Sequence, residues 1–408
     1  MTTGAKTNKN IIFIIIVASL GYFVDIYDLV IFSIVRIQSF HDIGIPEDEM
    51  RKGGEYVLNM QMGGLLLGGI IWGIIGDKFG RIKVLFGSIL LYSFANMANA
   101  YVNNINSYAI VRFVAGVGLA GELGAGITLV SESMNKNKRG YGTMIVAVVG
   151  VLGAIVAFYI AEHFDWRNAY LVGGGIGILL LALRIGTFES SLYKNTAAKN
   201  IVKGKFSMLF TSRERFLRYL YCLLIGLPIW FVVGIFVTQA PEFGKALGAP
   251  ETLSAGKGIM FTYIGISLGD LFAGLLAQVT RSRKLAVFIF QILIIISSVW
   301  YLSSTGITPE KFQWLAFFMG LAVGYWATFV TISSEQFGTN LRATVTTTAP
   351  NFVRGALIPS TFLFEFFVHR FNIITAGYIM IFLLSAIAIF ALTKLKESFD
   401  KDLNYLEK

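Results

Sequence analysis

Cysteine and histidine are both scarce in this sequence, and each scarcity excludes a kind of chemistry. Cys222 is the one cysteine among 408 residues, so no disulfide can form within the chain. The three histidines, His41, His163 and His369, fall between apolar runs or at their ends. The sequence also lacks a metal-ligand cluster, a nucleophile elbow and a Walker motif, so we expect neither an enzyme activity nor a cofactor.

Charged residues are few as well, at 14% of the chain, whereas hydrophobic residues make up 55% and the mean hydropathy is +0.68. A water-soluble core cannot hide that much apolar side chain, so lipid must be the solvent. The formal net charge of +10 comes from short basic clusters that lie between apolar runs. Clusters of this kind set membrane topology, and we expect no nucleic-acid partner.

A membrane-spanning helix needs about 20 mostly apolar residues, and twelve such runs can be found along the chain. Because backbone groups in lipid must be satisfied within their own segment, runs this long and uniform predict helices. The N-terminus runs into the first apolar stretch without an Ala-x-Ala-like cleavage site, so we expect this stretch to remain in the mature protein. The predicted spans are 11–35, 56–76, 82–102, 107–131, 141–162, 168–187, 215–240, 257–279, 285–304, 311–333, 342–368 and 372–393.

The distribution of lysine and arginine predicts an orientation. If the N-terminus is cytoplasmic, the inner loops and tails hold most basic residues, with dense groups at 194–218 and 394–408. The opposite loops hold few. Since basic residues favour the cytoplasmic side, both termini are predicted to lie there. We expect a multi-pass protein of a cell membrane, specifically a bacterial inner membrane.

The predicted spans divide six and six. The longest polar interruption on the inner side, 188–214, is the expected linker between an N-terminal bundle, 1–187, and a C-terminal bundle, 215–393. A short tail, 394–408, follows. We therefore predict two helical domains joined by a cytoplasmic segment.

A repeated spacing indicates that the two halves derive from one ancestral unit. Glu132 is followed seven residues later by Arg139, and Glu335 is followed by Arg342 at the same interval. Each pair comes directly after an apolar run in its own half. The halves are therefore predicted to share one fold.

The loop after the second span carries the most specific motif. It reads Gly73-x-x-Gly76-Asp77-Lys78-x-Gly80-Arg81-x-Lys83. This string resembles the signature loop between helices 2 and 3 of the major facilitator superfamily. Other motifs along the whole chain resemble its branch of sugar porters, metabolite:proton symporters and phosphate:proton symporters. The resemblance implies an all-α integral membrane fold with twelve transmembrane helices in two pseudo-symmetric six-helix bundles.

The signature loop also suggests a conformational latch. Its glycines allow close helix approach, and its charges can form a cytoplasmic ion pair that holds one conformation. The second copy has Gln278 in place of the aspartate and Arg281 in place of a glycine, so we expect a weaker latch there. The predicted latch residues are Gly73, Asp77, Gly80, Arg81, Glu132, Arg139, Glu335 and Arg342.

Charged side chains deep in the membrane cost about 2.5–3.5 kcal/mol each, so each is a functional candidate. Asp25 and Asp28 share one face of the first span, in a motif similar to that of metabolite and phosphate symporters. Arg112 enters the fourth span at about the depth of Asp28, which predicts an ion pair; sugar-porter relatives use such a pair for proton coupling. A static pair that fixes packing is the alternative. Asp25 and Glu122 are predicted either to bind protons or substrate, or to make structural hydrogen bonds.

Arg354 is predicted to lie near the midplane with no carboxylate within one helical turn. It therefore either binds an anionic substrate group or pairs with Asp270. Asp270 is itself a candidate for substrate contact and alternatively faces a water-filled cavity. The further candidates for substrate contact, which alternatively pack against lipid or one another, are Asn351, Trp230, Gln239, Tyr263, Tyr325, Trp326 and Gln61.

These features support one leading hypothesis: a monomeric secondary transporter imports a small polar metabolite, an organic anion, together with protons, by alternating access. No histidine lies within a span, so carboxylates would carry the protons. The fifth span, with Gly150 and Gly153, lacks the Gly-Pro pair of drug:proton antiporters, so export of a siderophore, drug or other amphipathic solute comes second. A membrane sensor comes third. The expected partners are a small-molecule substrate, protons and the lipid bilayer.

Overall fold

The computed structural model describes residues 2–79, 81–122, 139–191, 206–399 and 407. Within these ranges the first half of the chain forms long helices. Their bounds are Thr2–Asp42 for α1, Met50–Phe79 for α2, Arg81–Asn99 for α3, Ile105–Leu119 for α4, Arg139–His163 for α5 and Trp166–Ser191 for α6. Helix α4 begins at a capped end, because the Asn104 side chain accepts a hydrogen bond from the Ser107 amide.

The second half contains shorter helical pieces joined into longer stretches. A 3₁₀-helix at Phe206–Leu209 precedes α7, and a π-helical segment at Val232–Val237 separates α8 from α9. The α-helices are α7 Arg213–Leu224, α8 Leu227–Phe231, α9 Ala240–Ala246, α10 Ala255–Thr280, α11 Arg283–Leu302, α12 Pro309–Val323, α13 Trp326–Glu335, α14 Thr339–Gly355, α15 Leu357–Arg370 and α16 Ile373–Lys394.

The described helices agree with the predicted spans. Counting only described residues, nine helical stretches are long and apolar enough to cross a membrane, and Ile105–Leu119 and Val149–His163 are shorter apolar helices. Together with α3 they coincide with the predicted runs. The fourth predicted span can be followed only to Glu122, because 123–138 lie outside the described residues. The prediction of an all-helical membrane protein is confirmed.

Helix α1 extends further than predicted, to Asp42 rather than to about residue 35. Polar Arg36 and Ser39 ended the predicted apolar run, but the structure buries both side chains, at 1% and 0% exposure. Arg36 has hydrogen-bond partners for its charge, and the Ser39 hydroxyl donates to the Arg36 carbonyl at 3.0 Å. A polar residue that is satisfied in this way does not end a helix.

Three spans predicted to be continuous are interrupted. The seventh span breaks at Gly226 and Pro228, because proline has no backbone N–H to donate to the preceding turn. After the break the span passes into the π-helical segment. The tenth breaks at Gly324, between α12 and α13, and the eleventh breaks at Ala356. These runs remain apolar across each break, so hydropathy alone could not reveal the interruptions.

Both halves repeat one close helix contact. In the first half, a Cβ added to Gly68 of α2 would overlap the backbone carbonyl of Val117 in α4. In the second half, a Cβ on Gly269 of α10 would overlap the carbonyl of Leu321 in α12. Each glycine lets two helix backbones touch. The matching contacts support the predicted internal repeat.

The halves meet along two seams, α2 against α14 and α5 against α10, with α1 also lying beside α10. Side chains of α1, α10 and α14 can therefore face one another between the halves. The predicted domain limits remain predictions, because 192–205, most of the linker, lie outside the described residues.

Candidate functional site

Two carboxylates are buried on α1. Asp25 and Asp28 both have 0% exposure. Neither carboxylate oxygen of Asp25 accepts a hydrogen bond from any described residue. The Asp28 carboxylate has Arg112 and Asn96 as polar neighbours, but no hydrogen bond of standard geometry from a described residue reaches either oxygen. A buried carboxylate without a donor is stable only when it gains a proton or a cationic partner.

Arg112 is held by neutral acceptors. Its Nη2 donates to the backbone carbonyl of Asp28 at 2.7 Å, its Nη1 to Asn96 Oδ1 at 2.9 Å and its Nε to Gln61 Oε1 at 3.3 Å. The predicted direct ion pair with the Asp28 carboxylate is therefore replaced by a bond to the main chain of the same residue. Gln61 also donates to the Leu29 carbonyl at 3.1 Å, so both ends of this predicted substrate contact serve helix packing.

Glu122 has a partner that sequence reasoning missed. Arg184 of α6 donates to it through Nη2 at 2.5 Å and through Nη1 at 3.1 Å, and both side chains are 1% exposed. Arg184 Nη2 also reaches the Val17 carbonyl at 3.4 Å. The pair thus ties the segment that follows α4 to α6 and α1. A lone arginine within the predicted span 168–187 was the available signal.

Arg354 lies buried against two tryptophans that also contact each other. Its guanidinium carbon is 5.4 Å from the Trp230 ring centre and 5.6 Å from the Trp326 ring centre. It is 1% exposed, its Nη1 reaches Asn351 Oδ1 at 3.5 Å, and its Nε donates to no described residue. Aromatic faces stabilise a cation without neutralising its charge. The guanidinium can therefore still accept an anion.

Asp25 of the other half lies within electrostatic range of Arg354, and the two charges attract each other. The Tyr22 and Tyr263 hydroxyls lie in the field of both charges. The Asp25 carboxylate and the Arg354 guanidinium therefore lie among α1, α10 and α14, and each has hydrogen-bonding atoms that bond to no described residue. We call Tyr22, Asp25, Tyr263 and Arg354 the central cluster.

Within the part of the chain that the structure describes, Asp270 forms no ion pair with Arg354. Its Oδ1 instead accepts a hydrogen bond from the Ala327 amide at 2.8 Å, and the Trp326 amide is a second donor to the carboxylate. Asp270 therefore caps the first turn of α13. Of the two alternatives given for Arg354, this contact speaks against pairing with Asp270, whose carboxylate lies at a helix start.

Two other predicted substrate contacts have their polar atoms engaged by the protein. The Tyr325 hydroxyl donates to the Ile225 carbonyl at 2.7 Å and lies 2.7 Å from Gln291 Nε2. Asn351 Nδ2 donates to the Ala120 carbonyl at 3.0 Å, which joins α14 to the end of α4 in the other half. Both side chains hold the helices around the central cluster.

The described part of the latch includes both Glu335 and Arg342. Glu335 pairs with Arg283 at 2.6 Å and its charge is also attracted by Arg342, which donates to the carbonyls of Ser334 and Phe337 at 3.3 and 3.4 Å. A Cβ on Gly73 would meet no described atom within 4 Å, so Gly73 makes no close approach to a described helix. Gly80 and Glu132, and the side chains of Asp77, Arg81 and Arg139, lie outside the described residues.

A second polar cluster, missed from the sequence, joins the halves at the face opposite the termini. Arg36 of α1 pairs with Glu242 of α9 at 2.6 Å, and Arg51 of α2 pairs with Glu365 of α15. Gln239, predicted to touch substrate, donates to Glu55 at 2.7 Å in this cluster. Sequence spacing does not reveal these pairs, because the partners of Arg36 and Arg51 lie 206 and 314 residues away in the chain. We call these six residues the closing cluster.

The comparisons with known proteins agree with this architecture. The family model described as Major Facilitator Superfamily matches residues 13–355. A Haemophilus influenzae protein whose name assigns it to metabolite transport is 27% identical over 340 residues, covering 80% of this chain and 82% of the relative.

Two relatives with named substrates are similar over shorter stretches. The niacin transporter of Acinetobacter baylyi is 30% identical, covering 39% of this chain and 36% of the relative. The sialic acid transporter of Escherichia coli is 26% identical, covering 62% and 64%. Each of these two alignments spans less than two thirds of the relative.

Proposed function

The chain belongs to the Major Facilitator Superfamily, and we propose that it is a proton-coupled symporter that imports a small organic anion. It is a multi-pass membrane protein and a transporter rather than an enzyme. The finer features of the proposal are the anionic substrate, the coupling to protons and the inward direction.

The single observation that carries the anionic substrate is the state of Arg354. This guanidinium is buried between the halves, has tryptophan faces on it and has an Nε with no described acceptor. A substrate carboxylate can bind such a group bidentately, with two charge-assisted hydrogen bonds. The names of relatives support the class, since niacin and sialic acid are both carboxylic acids.

Asp25 supports the coupling to protons. Its carboxylate is fully buried, accepts no hydrogen bond from a described residue and attracts Arg354 from the opposite half. A proton on Asp25 removes the charge that competes with a substrate carboxylate for Arg354. Proton and anion would then bind together, and the empty charged site would hold its two halves together. Asp28 beside Arg112 is the second proposed proton site, and the Glu122–Arg184 pair shapes the field around Asp25.

The remaining assignments rest on charge distribution. Basic residues concentrate on the side of the termini, which supports a cytoplasmic location for both ends. We propose a bacterial inner membrane and a monomer, in which the two halves of one chain form the complete site.

The proposal is tested with purified protein in liposomes under an imposed inward proton gradient. Labelled organic acids, phosphates and sugars are offered in parallel, and we expect accumulation of an organic acid that stops when the gradient is collapsed. Arg354→Ala should weaken binding of that acid by roughly 30-fold or more, the equivalent of about 2 kcal/mol for a buried charge contact. Arg370→Ala, an exposed arginine at the end of α15, is the matched control.

Three kinds of result would contradict the proposal. Unchanged affinity in Arg354→Ala would remove the arginine from the substrate site. Accumulation that needs an outward proton gradient, or release of solute from loaded vesicles against its gradient, would replace import by export. Asp25→Asn should abolish gradient-driven accumulation, and wild-type accumulation in that variant would assign coupling to another group.

A further inference from the structure

The break between α12 and α13 leaves a helix start that its own neighbours do not cap. The first amides of a helix have no acceptors within the helix, and they carry partial positive charge. Tyr325, which precedes α13, makes no side-chain cap bond. Asp270 of α10 supplies the acceptor instead, with Oδ1 2.8 Å from the Ala327 nitrogen.

The first residue of α13 is Trp326, one of the two aromatic neighbours of Arg354. Its ring centre lies 5.6 Å from the guanidinium carbon and 6.2 Å from the Trp230 ring centre, with the two rings at 75°. The backbone amide of Trp326 is itself a donor to Asp270. The position of this ring on Arg354 therefore depends on where Asp270 holds the start of the helix.

Packing on α10 makes that anchor rigid. Gly324, which ends α12, lies against Gly269, and an added Cβ on Gly324 would come within 2.6 Å of the Gly269 Cα. Asp270 follows Gly269 directly. The glycine contact thus brings the break within reach of the carboxylate, and the carboxylate orients the helix that follows.

We propose that Asp270 is a positioning residue of the anion site: it caps α13 and thereby holds Trp326 against Arg354. The inference rests on the proposed role of Arg354 in binding an organic anion. Asp270 touches neither the guanidinium nor the substrate. Without the cap, the start of α13 frays, Trp326 leaves the guanidinium, and Arg354 samples orientations that do not bind a carboxylate bidentately.

The chemistry of the cap predicts which substitution is tolerated. A cap needs a hydrogen-bond acceptor rather than a negative charge, and asparagine caps about as well as aspartate. Asp270→Asn should therefore retain substrate affinity, whereas Asp270→Ala should weaken it. If Asp270 instead bound a proton or paired with Arg354, the Asp270→Asn variant would behave like Asp270→Ala, because both roles need the charge.

The test has a readout that needs no substrate. The full-length protein is labelled with 5-fluorotryptophan, and the Trp326 fluorine signal is assigned by its loss in Trp326→Phe. We expect Asp270→Ala to shift or broaden this signal and Asp270→Asn to restore it. Asp165→Ala is the matched control: Asp165 caps the Asn168 amide at the start of α6, at 3.1 Å, outside the central cluster.

Transport supplies the second readout, with the organic acid that the liposome panel identifies. Asp270→Ala should raise KM by about fivefold, as expected for a lost cap, with a smaller change in kcat, and Asp270→Asn should restore KM. An unchanged Trp326 signal in Asp270→Ala overturns the proposal, as does an Asp270→Asn variant that behaves like alanine. If no organic acid is transported, the proposed function fails, and the fluorine signal still decides the position of Trp326.

Discussion

Arg36 of α1 and Glu242 of α9 form a two-point ion pair across the halves. Nη1 lies 2.6 Å from Oε1 and Nη2 lies 2.8 Å from Oε2, and Arg36 is 1% exposed while Glu242 is 19% exposed. The guanidinium also donates to the carbonyls of Met50 and Thr238. Four acceptors thus hold one buried cation at the face opposite the termini, where an alternating-access protein must open.

We expect Glu242→Gln to weaken closure of that face, because Arg36 then keeps its charge without a counter-ion. Ser33→Cys in a Cys222→Ser background provides the probe, since Cys222 is the one native cysteine and Ser33 lies 3.1 Å from Thr238 across the seam. Maleimide should label Cys at position 33 several-fold faster in Glu242→Gln. Asp42→Asn is the control, because it breaks the Arg167 pair at the same face within one half. Equal labelling rates would show that the Arg36–Glu242 pair does not stabilise the closed face.

We expect Glu122→Gln to destabilise the protein by about 3–5 kcal/mol, the usual cost of breaking a buried ion pair. The cause is Arg184, which keeps a full charge at 1% exposure without its carboxylate. Denaturant unfolding in detergent measures the loss. The double variant Glu122→Gln with Arg184→Met should recover much of it, whereas strictly additive effects would show that the two side chains are not coupled.

We expect Asp28→Asn to abolish accumulation driven by a proton gradient while counterflow exchange continues. Exchange survives because Arg112 binds the Asp28 backbone carbonyl, Asn96 and Gln61, and none of these contacts requires the carboxylate. Both activities are measured in the same liposomes, so exchange is the internal control for folding. Wild-type accumulation would exclude Asp28 from coupling.

We expect Gly269→Ala to cost about 1–3 kcal/mol of stability or to separate α10 from α12, as overpacking does. The added methyl would meet the Leu321 carbonyl, which is backbone and cannot rotate away. Gly274→Ala on the same helix is the matched control, because its methyl would meet no described atom within 4 Å. Thermal melting compares the two, and equal melting temperatures would contradict the close contact.

Glu397 should make the segment after α16 sensitive to acid. Partial burial raises the pKa of Glu397, but hydrogen bonds from the Ser282 hydroxyl and from the amides of Phe399, Arg283 and Lys284 outweigh it, so the pKa lies below its ordinary value. Because the pKa is lowered by folding, the contact stabilises the fold at pH values above the pKa of the unfolded chain, about 4.3. This stabilisation is lost as the pH falls through the pKa of the folded protein.

We therefore expect amide exchange around residues 395–399, corrected for its intrinsic rate, to accelerate between pH 6 and pH 3. Glu397→Gln should exchange fast already at pH 6 and respond little to acid. Glu214→Gln is the control, since that carboxylate is exposed. A Glu397→Gln variant with wild-type pH dependence would assign the acid response to another group.

Sequence reasoning found residues by type and depth, but it found few of their partners. Asp25 and Arg354 were recognised because a charge within an apolar run is costly wherever its neighbours are. The Arg184 partner of Glu122, the capping role of Asp270 and the Arg36–Glu242 pair depend on contacts between helices far apart in the chain. Spacing along one helix carries no information about such contacts.

The sequence by itself determined that the chain crosses a membrane many times, that its halves repeat one unit and which charges must lie within the helices. These properties follow from motif spacing and from local hydropathy, because each segment enters the bilayer according to its own apolar length. The tertiary structure decided which charges neutralise each other and which do not. Arg112 bonds a backbone carbonyl, Arg184 bonds Glu122, and Arg354 lies against two tryptophans. An arginine's role depends on the nearest acceptor in space, and only packing of the helices sets that distance.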